Sequence, residues 1–124
     1  ELGACNENQI AVAVAAPVIG RYPERKSIVV HCGGVHLSKE ALNINGTTVY
    51  GQVVLLNENG WKFPEKDLFV TSLSQEHGTI TVPAGMMKQF KPGFLVGIIP
   101  VHSCLTADCF SYYLTTDGEK ITRI

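Results

Sequence analysis

The sequence has little charge of either sign and no excess of one. Its 124 residues carry 10 Lys+Arg against 11 Asp+Glu, a formal net charge of −1. Without a basic footprint, a nucleic-acid partner is excluded as a first reading. Long apolar runs are also missing. The longest, Ile10–Ile19, spans ten residues and contains Pro17, whereas a membrane-spanning helix needs about 18–20. No nucleophile elbow, phosphate loop, dinucleotide fingerprint or zinc-finger quartet is present. Helical signals are sparse, limited to one turn or two over Leu37–Leu42 with Ser38 as an N-cap.

Cysteine is scarce as well. There are four, at 5, 32, 104 and 109, far below the ~8–10% of disulfide scaffolds. The even count permits two disulfides, and Asn45-Gly46-Thr47 is a formal glycosylation acceptor. A chain that is 45% hydrophobic and 17% charged can nevertheless build a core without staples. A reducing, cytoplasmic compartment is therefore the expectation. The chain opens on Glu1 rather than Met, and residues 1–9 read as the middle of a loop. It is expected to be a piece excised from a longer protein.

What is abundant is strand patterning. Ile10–Ala16, Ser27–His31, Thr47–Leu56, Asp67–Leu73, Thr79–Val82, Phe94–Val101 and Phe110–Thr116 are short apolar, β-branched or aromatic runs. Asn45-Gly46 and Asp117-Gly118 are hairpin signals, the second returning the chain as a last strand over Glu119–Ile124. Gly51 and Gly97 fall inside strand runs, where glycines mark bulges or barrel bends. The pattern predicts one all-β domain over 1–124, a β-barrel-like or sandwich fold with one short helical turn.

The densest chemical segment is Pro100–Cys109, with His102 and Cys104 two residues apart. In an extended strand both would project from one face, about 6.6 Å apart. Imidazole and thiolate are both zinc donors, so the two could converge on one ion. By spacing alone, a polar strand end with a buried thiol is the commoner outcome. Gln75-Glu76-His77-Gly78 places an acid and an imidazole beside a glycine, either a polar turn or one that aims His77 into a cleft. His31-Cys32-Gly33-Gly34-Val35-His36 has no standard metal spacing and reads as a strand running into a glycine loop. Lys39 and Lys88 have no neighbours that suggest a Schiff-base lysine, and Tyr112-Tyr113 should divide between core and surface.

Taken in order, the double glycine leading to Val35–Glu40, then Gln75-Glu76-His77-Gly78, then Pro100–Thr106 resembles the C-terminal β domain of a pyridoxal-phosphate family. That family contains D-serine dehydratase and D-threonine aldolase and shares the alanine-racemase-like (fold type III) architecture. The resemblance covers about Ile10 to Ile124. It implies an N-terminal α/β barrel, outside this chain, that holds pyridoxal phosphate on a lysine. It makes His102 and Cys104 zinc ligands and His77 a further ligand or proton-transfer group. It also implies a homodimer in the full-length protein and a D-amino acid substrate with a β-hydroxyl, leaving the isolated domain inactive. The reaction could be dehydration, aldol cleavage or racemisation; aspartate is usual in the aldolases where Cys104 stands, which leans toward dehydration. His31-Cys32-Gly33-Gly34 departs from the Asp-Ala-Gly-type turn of many members. The competing reading is a stand-alone or secreted β module with Cys104–Cys109 or Cys5–Cys32 disulfides and no catalysis.

Overall fold

The computed structural model describes residues 6–123. Cys5, one half of an expected disulfide alternative, and Ile124, the end of the expected last strand, lie outside them. The strands are β1 (Val14–Tyr22), β2 (Ser27–Val30), β3 (Leu42–Ile44), β4 (Thr47–Val49), β5 (Gly51–Asn57), β6 (Gly60–Lys62), β7 (Phe69–Leu73), β8 (Gly78–Thr81), β9 (Leu95–Pro100), β10 (Tyr112–Leu114) and β11 (Lys120–Thr122). Two short helices, α1 (Gly34–Leu37) and α2 (Ser103–Asp108), and three 3-10 segments complete the described chain.

Six strands form a closed ring in the order β1-β2-β8-β7-β5-β9, with β9 returning to β1, and every pairing is antiparallel. β6 extends the far end of β5. The period-2 patterning explains the core, because alternate side chains of a strand share a face. Val14, Ala16 and Val18 of β1, Ile28 and Val30 of β2, Ile80 of β8, and Val96 and Ile98 of β9 are buried inside, capped by Phe90 and Met87.

Closure depends on two glycines. A Cβ on Gly51 would stand 2.6 Å from Ile98 Cγ2, and one on Gly97 would stand 2.7 Å from Val54 Cγ2. The close β5–β9 approach therefore has room only for hydrogen at these positions, as the in-strand glycines suggested.

Several boundaries differ from expectation. The first strand begins later and runs through Pro17, the last β1 residue paired with β9. The missing N–H is tolerated there because β1 changes partner and bulges between Val18 and Gly20. The Thr47–Leu56 run divides at Tyr50. Its first part pairs with β3 across Asn45 (φ 51°) and Gly46 (φ 85°), the positive-φ pair a tight hairpin needs. Ser38 is a C-cap, not an N-cap: α1 ends on it in the left-handed region at φ 60°. A second helix, α2, stands where only loop and strand were expected. Among the described residues no helix is long and apolar enough to cross a membrane.

Gly97→Val should lower unfolding free energy by about 1–3 kcal/mol through overpacking, read as a shifted urea midpoint. Gly85→Ala, where a Cβ meets nothing within 4 Å, should leave the midpoint within about 0.5 kcal/mol of wild type.

Candidate active-site and metal-ligand residues

Strand polarity gathers the chemical segments at one rim. β9 ends, β2 ends, and the β7–β8 turn lies at the end of the barrel where β1 and β5 begin, since Val14 pairs with Ile98, Gly51 with Pro100, and Val30 with Gly78. His31 and α1 follow β2, His77 precedes β8, and α2 follows β9.

Gly33 lets two of these segments touch. A Cβ there would lie 2.5 Å from the Glu76 carbonyl carbon and 2.6 Å from Gln75 O. The N–H groups of Gly34 and Val35 donate to Ser74 O (2.9 Å) and Gln75 O (3.1 Å). The turn's carbonyls thus satisfy amides that the start of α1 would leave unpaired. Ser74 closes the turn, its N–H donating to His77 O at 2.9 Å.

This contact brings three imidazoles together. The His31 ring centroid is 5.4 Å from His36 and 5.7 Å from His77. His36 Nδ1 accepts the Gly33 N–H at 3.0 Å, which leaves the proton of the neutral ring on Nε2. Burial holds His36 below its ordinary pKa; His31 and His77 push the same way and Glu76 opposes them. The sequence assigns no role to His31 or His36, although the loop around Gly33–His36 and the turn at Glu76–Gly78 are expected to converge, and they do.

Cys32, beside them in sequence, is fully buried, and burial pushes its thiol up to about 12. It is a core side chain, neither nucleophile nor ligand at neutral pH.

His102 and Cys104 do not share a strand. His102 is the extended N-cap residue of α2 (φ −130°, ψ 100°), and its side chain makes no capping hydrogen bond. Cys104 lies in the first helical turn, so the common strand face inferred from the two-residue spacing is corrected. The helix forms because Thr106 turns inward, 1% exposed, while His102, Ser103, Cys104 and Leu105 stay exposed. Both donors are open to solvent, and Cys32, Cys104 and Cys109 are free thiols. α2 packs against α1, and the His36 ring is 6.1 Å from Phe110, just beyond α2. Among the described residues no group of three or more His, Cys, Asp or Glu is arranged to hold a metal ion. The chain therefore offers a pair of donors, and a full shell needs others. Lys39 lies over Gly34 in the left-handed region at φ 62°. Tyr113 is half-buried and Tyr112 exposed, so the two divide between faces as expected but neither reaches the core.

An antiparallel barrel with histidines at one rim and an exposed imidazole–thiol pair defines a class of domain, and comparison with known proteins specifies it. The family described as "Putative serine dehydratase domain" matches residues 11–116. The D-serine dehydratase of Dictyostelium discoideum is 35% identical over 124 residues, covering 97% of this chain and 30% of that enzyme. An alanine racemase-like protein from Idiomarina loihiensis superposes with a TM-score of 0.78 at 31% identity, over 97% of this chain and 32% of that one. D-threo-3-hydroxyaspartate dehydratase from Delftia sp. HT23 superposes at 0.77 with 27% identity, over 97% and 33%. That enzyme has also been solved with a cysteine changed to alanine, in the metal-free form, and with a histidine two residues earlier changed to alanine. The chain belongs to the serine dehydratase domain family, and it spans about a third of the length of the relatives it matches.

Two outcomes are expected of the site's own chemistry. His36 has a folded pKa below its unfolded value of about 6.5, so its contribution to stability is present above that value. It is lost as pH falls through the depressed folded pKa. Between pH 7.5 and 5.5 the wild-type urea midpoint should therefore fall more than that of His36→Gln, which keeps an acceptor but does not titrate. For the thiols, mass mapping after brief native alkylation should find Cys104 and Cys109 modified and Cys32 protected until the chain is denatured.

Proposed function

We propose that the chain is the metal-binding C-terminal β domain of a pyridoxal-phosphate-dependent dehydratase acting on D-amino acids with a β-hydroxyl. The observation that carries this reading is the His102–Cys104 pair: two exposed side chains, an imidazole free of capping duty and a free thiol, at the start of α2. Their spacing equals that of the histidine and cysteine replaced in the Delftia enzyme, whose cysteine variant is a metal-free form.

The donor set fits zinc, which takes imidazole nitrogen and thiolate sulfur and in catalytic sites keeps a position open. When bound, zinc would supply Lewis acidity toward a substrate hydroxyl, and pyridoxal phosphate would supply the electron sink for a Cα carbanion. His102 and Cys104, both exposed, would be the residues that hold the ion. His77, exposed and beside His31, is the group that moves a proton as the β-hydroxyl departs. The cofactor lysine belongs to an α/β barrel outside this chain, so the isolated domain has no turnover, and the full-length enzyme is a homodimer. Free Cys104 and Cys109, the latter donating its S–H to Leu105 O at 3.4 Å, support a reducing, cytoplasmic setting. They do not favour the disulfide-stapled alternative. A thiol rather than a carboxylate at position 104 supports dehydration over aldol cleavage.

In the complete enzyme, His102→Ala and Cys104→Ala should each lower zinc content and dehydration by more than the roughly 10- to 100-fold typical of losing an outer-shell partner, with the absorbance of bound pyridoxal phosphate retained. Full activity in either variant after exhaustive chelation would refute the zinc role. Cys104→Asp keeps an anionic but harder ligand and should retain part of the metal while shifting products toward aldol cleavage.

A further inference from the structure

We propose that Tyr113 and Arg123 are positioning residues that hold α2, and with it the His102–Cys104 pair, by binding the carbonyls at the helix's C-terminal end. The inference rests on reading that pair as the metal ligands. An α-helix leaves its last four carbonyls without intrahelical partners, and one of six residues has too few hydrogen bonds to persist alone. In α2 the next residues meet part of the deficit, Cys109 N–H donating to Thr106 O at 3.0 Å and Phe110 N–H to Ala107 O at 3.2 Å, and further bonds come from outside. Tyr113 Oη–H donates to Ala107 O at 2.9 Å, and Arg123 Nη1 donates to Asp108 O at 2.8 Å. The other Arg123 nitrogen, Nη2, pairs with the Asp108 carboxylate. One guanidinium fork thus grips a residue by both its backbone and its side chain, at the helix end where positive charge is favoured.

Both gripping residues come from the C-terminal hairpin. β10 and β11 form a two-stranded sheet of their own, with Tyr113 opposite Ile121 and the Arg123 N–H donating to Ser111 O at 3.0 Å. A two-stranded hairpin is marginal by itself, so hairpin and helix support each other. At its other end α2 continues directly from β9, whose Pro100 pairs with Gly51, and His102 adds no capping hydrogen bond. The direction in which His102 and Cys104 point is therefore set from both ends of the helix, by β9 before it and by the hairpin beyond it.

The test uses the complete enzyme loaded with Co2+, whose thiolate charge-transfer absorption reports Cys104 ligation independently of turnover. Tyr113→Phe removes one hydroxyl and should weaken Co2+ binding about 3-fold; the Tyr113→Phe/Arg123→Ala pair should weaken it about 10-fold, the low end for an outer-shell change. Bound pyridoxal phosphate should be unaffected in both. Arg123→Lys, with the charge but one acceptor reached instead of two, should recover part of the affinity lost in Arg123→Ala. Unchanged Co2+ affinity in these variants, with the absorption abolished in Cys104→Ala, would overturn the positioning role while leaving the ligands in place. Persistence of the absorption in Cys104→Ala would instead refute the ligand assignment, and the positioning role with it. If the double variant fails to fold, Tyr113→Phe alone decides.

Discussion

The contact on which the rest depends is the approach of β5 to β9 across Gly51 and Gly97. Five consecutive pairings, from Gly51 with Pro100 to Leu55 with Val96, join them, and side chains of Ile98 and Val54 fill the space that Cβ atoms would need. This seam turns an open sheet into a ring. An open sheet would leave β9 paired on one edge only, and α2 would leave the barrel wherever that edge happened to curl. With the ring closed, the ends of β2, β7 and β9 are fixed at a single rim, and the segments that carry histidine and cysteine emerge side by side.

At that rim the organisation is mostly backbone. Gly33 allows the β2–α1 connection to lie on the 74–77 turn, and that turn's carbonyls take up the first amides of α1. His36 then closes back on Gly33. The result is a cluster of three imidazoles in which one is held neutral and the other two are exposed. α2, which carries His102 and Cys104, packs against α1 and is fastened at the end away from them by Tyr113 and Arg123. Rigid backbone beneath exposed side chains suits a site completed by another part of the protein, because the donors need no rearrangement to meet an incoming group.

The barrel was legible because short apolar, β-branched runs such as Ser27–His31 and Phe94–Val101 alternate with turn residues, the pattern of a small closed sheet. Turn chemistry was equally direct at Asn45-Gly46 and Asp117-Gly118, where positive φ is required. α2 escaped notice because six residues with Thr106 as the inward side chain show no apolar helical period. That miss mattered, since the common strand face for His102 and Cys104 depended on an extended chain. The part of His31 in the histidine cluster was equally hidden, although the loop around Gly33–His36 and the turn at Glu76–Gly78 were expected to converge. His31 and His77 are brought together by β2–β8 pairing across 45 intervening positions of sequence, and no local spacing encodes that. Family resemblance supplied the significance of His102 and Cys104; the geometry supplied their exposure and their support.

The central claim is that one imidazole and one thiolate of this chain bind the metal of a dehydratase. X-ray absorption at the zinc edge of the complete enzyme tests it most directly. One sulfur scatterer at about 2.3 Å and nitrogen or oxygen scatterers at about 2.0–2.2 Å are expected, with the sulfur shell lost in Cys104→Ala. A first shell of nitrogen and oxygen alone in the wild-type enzyme would contradict it.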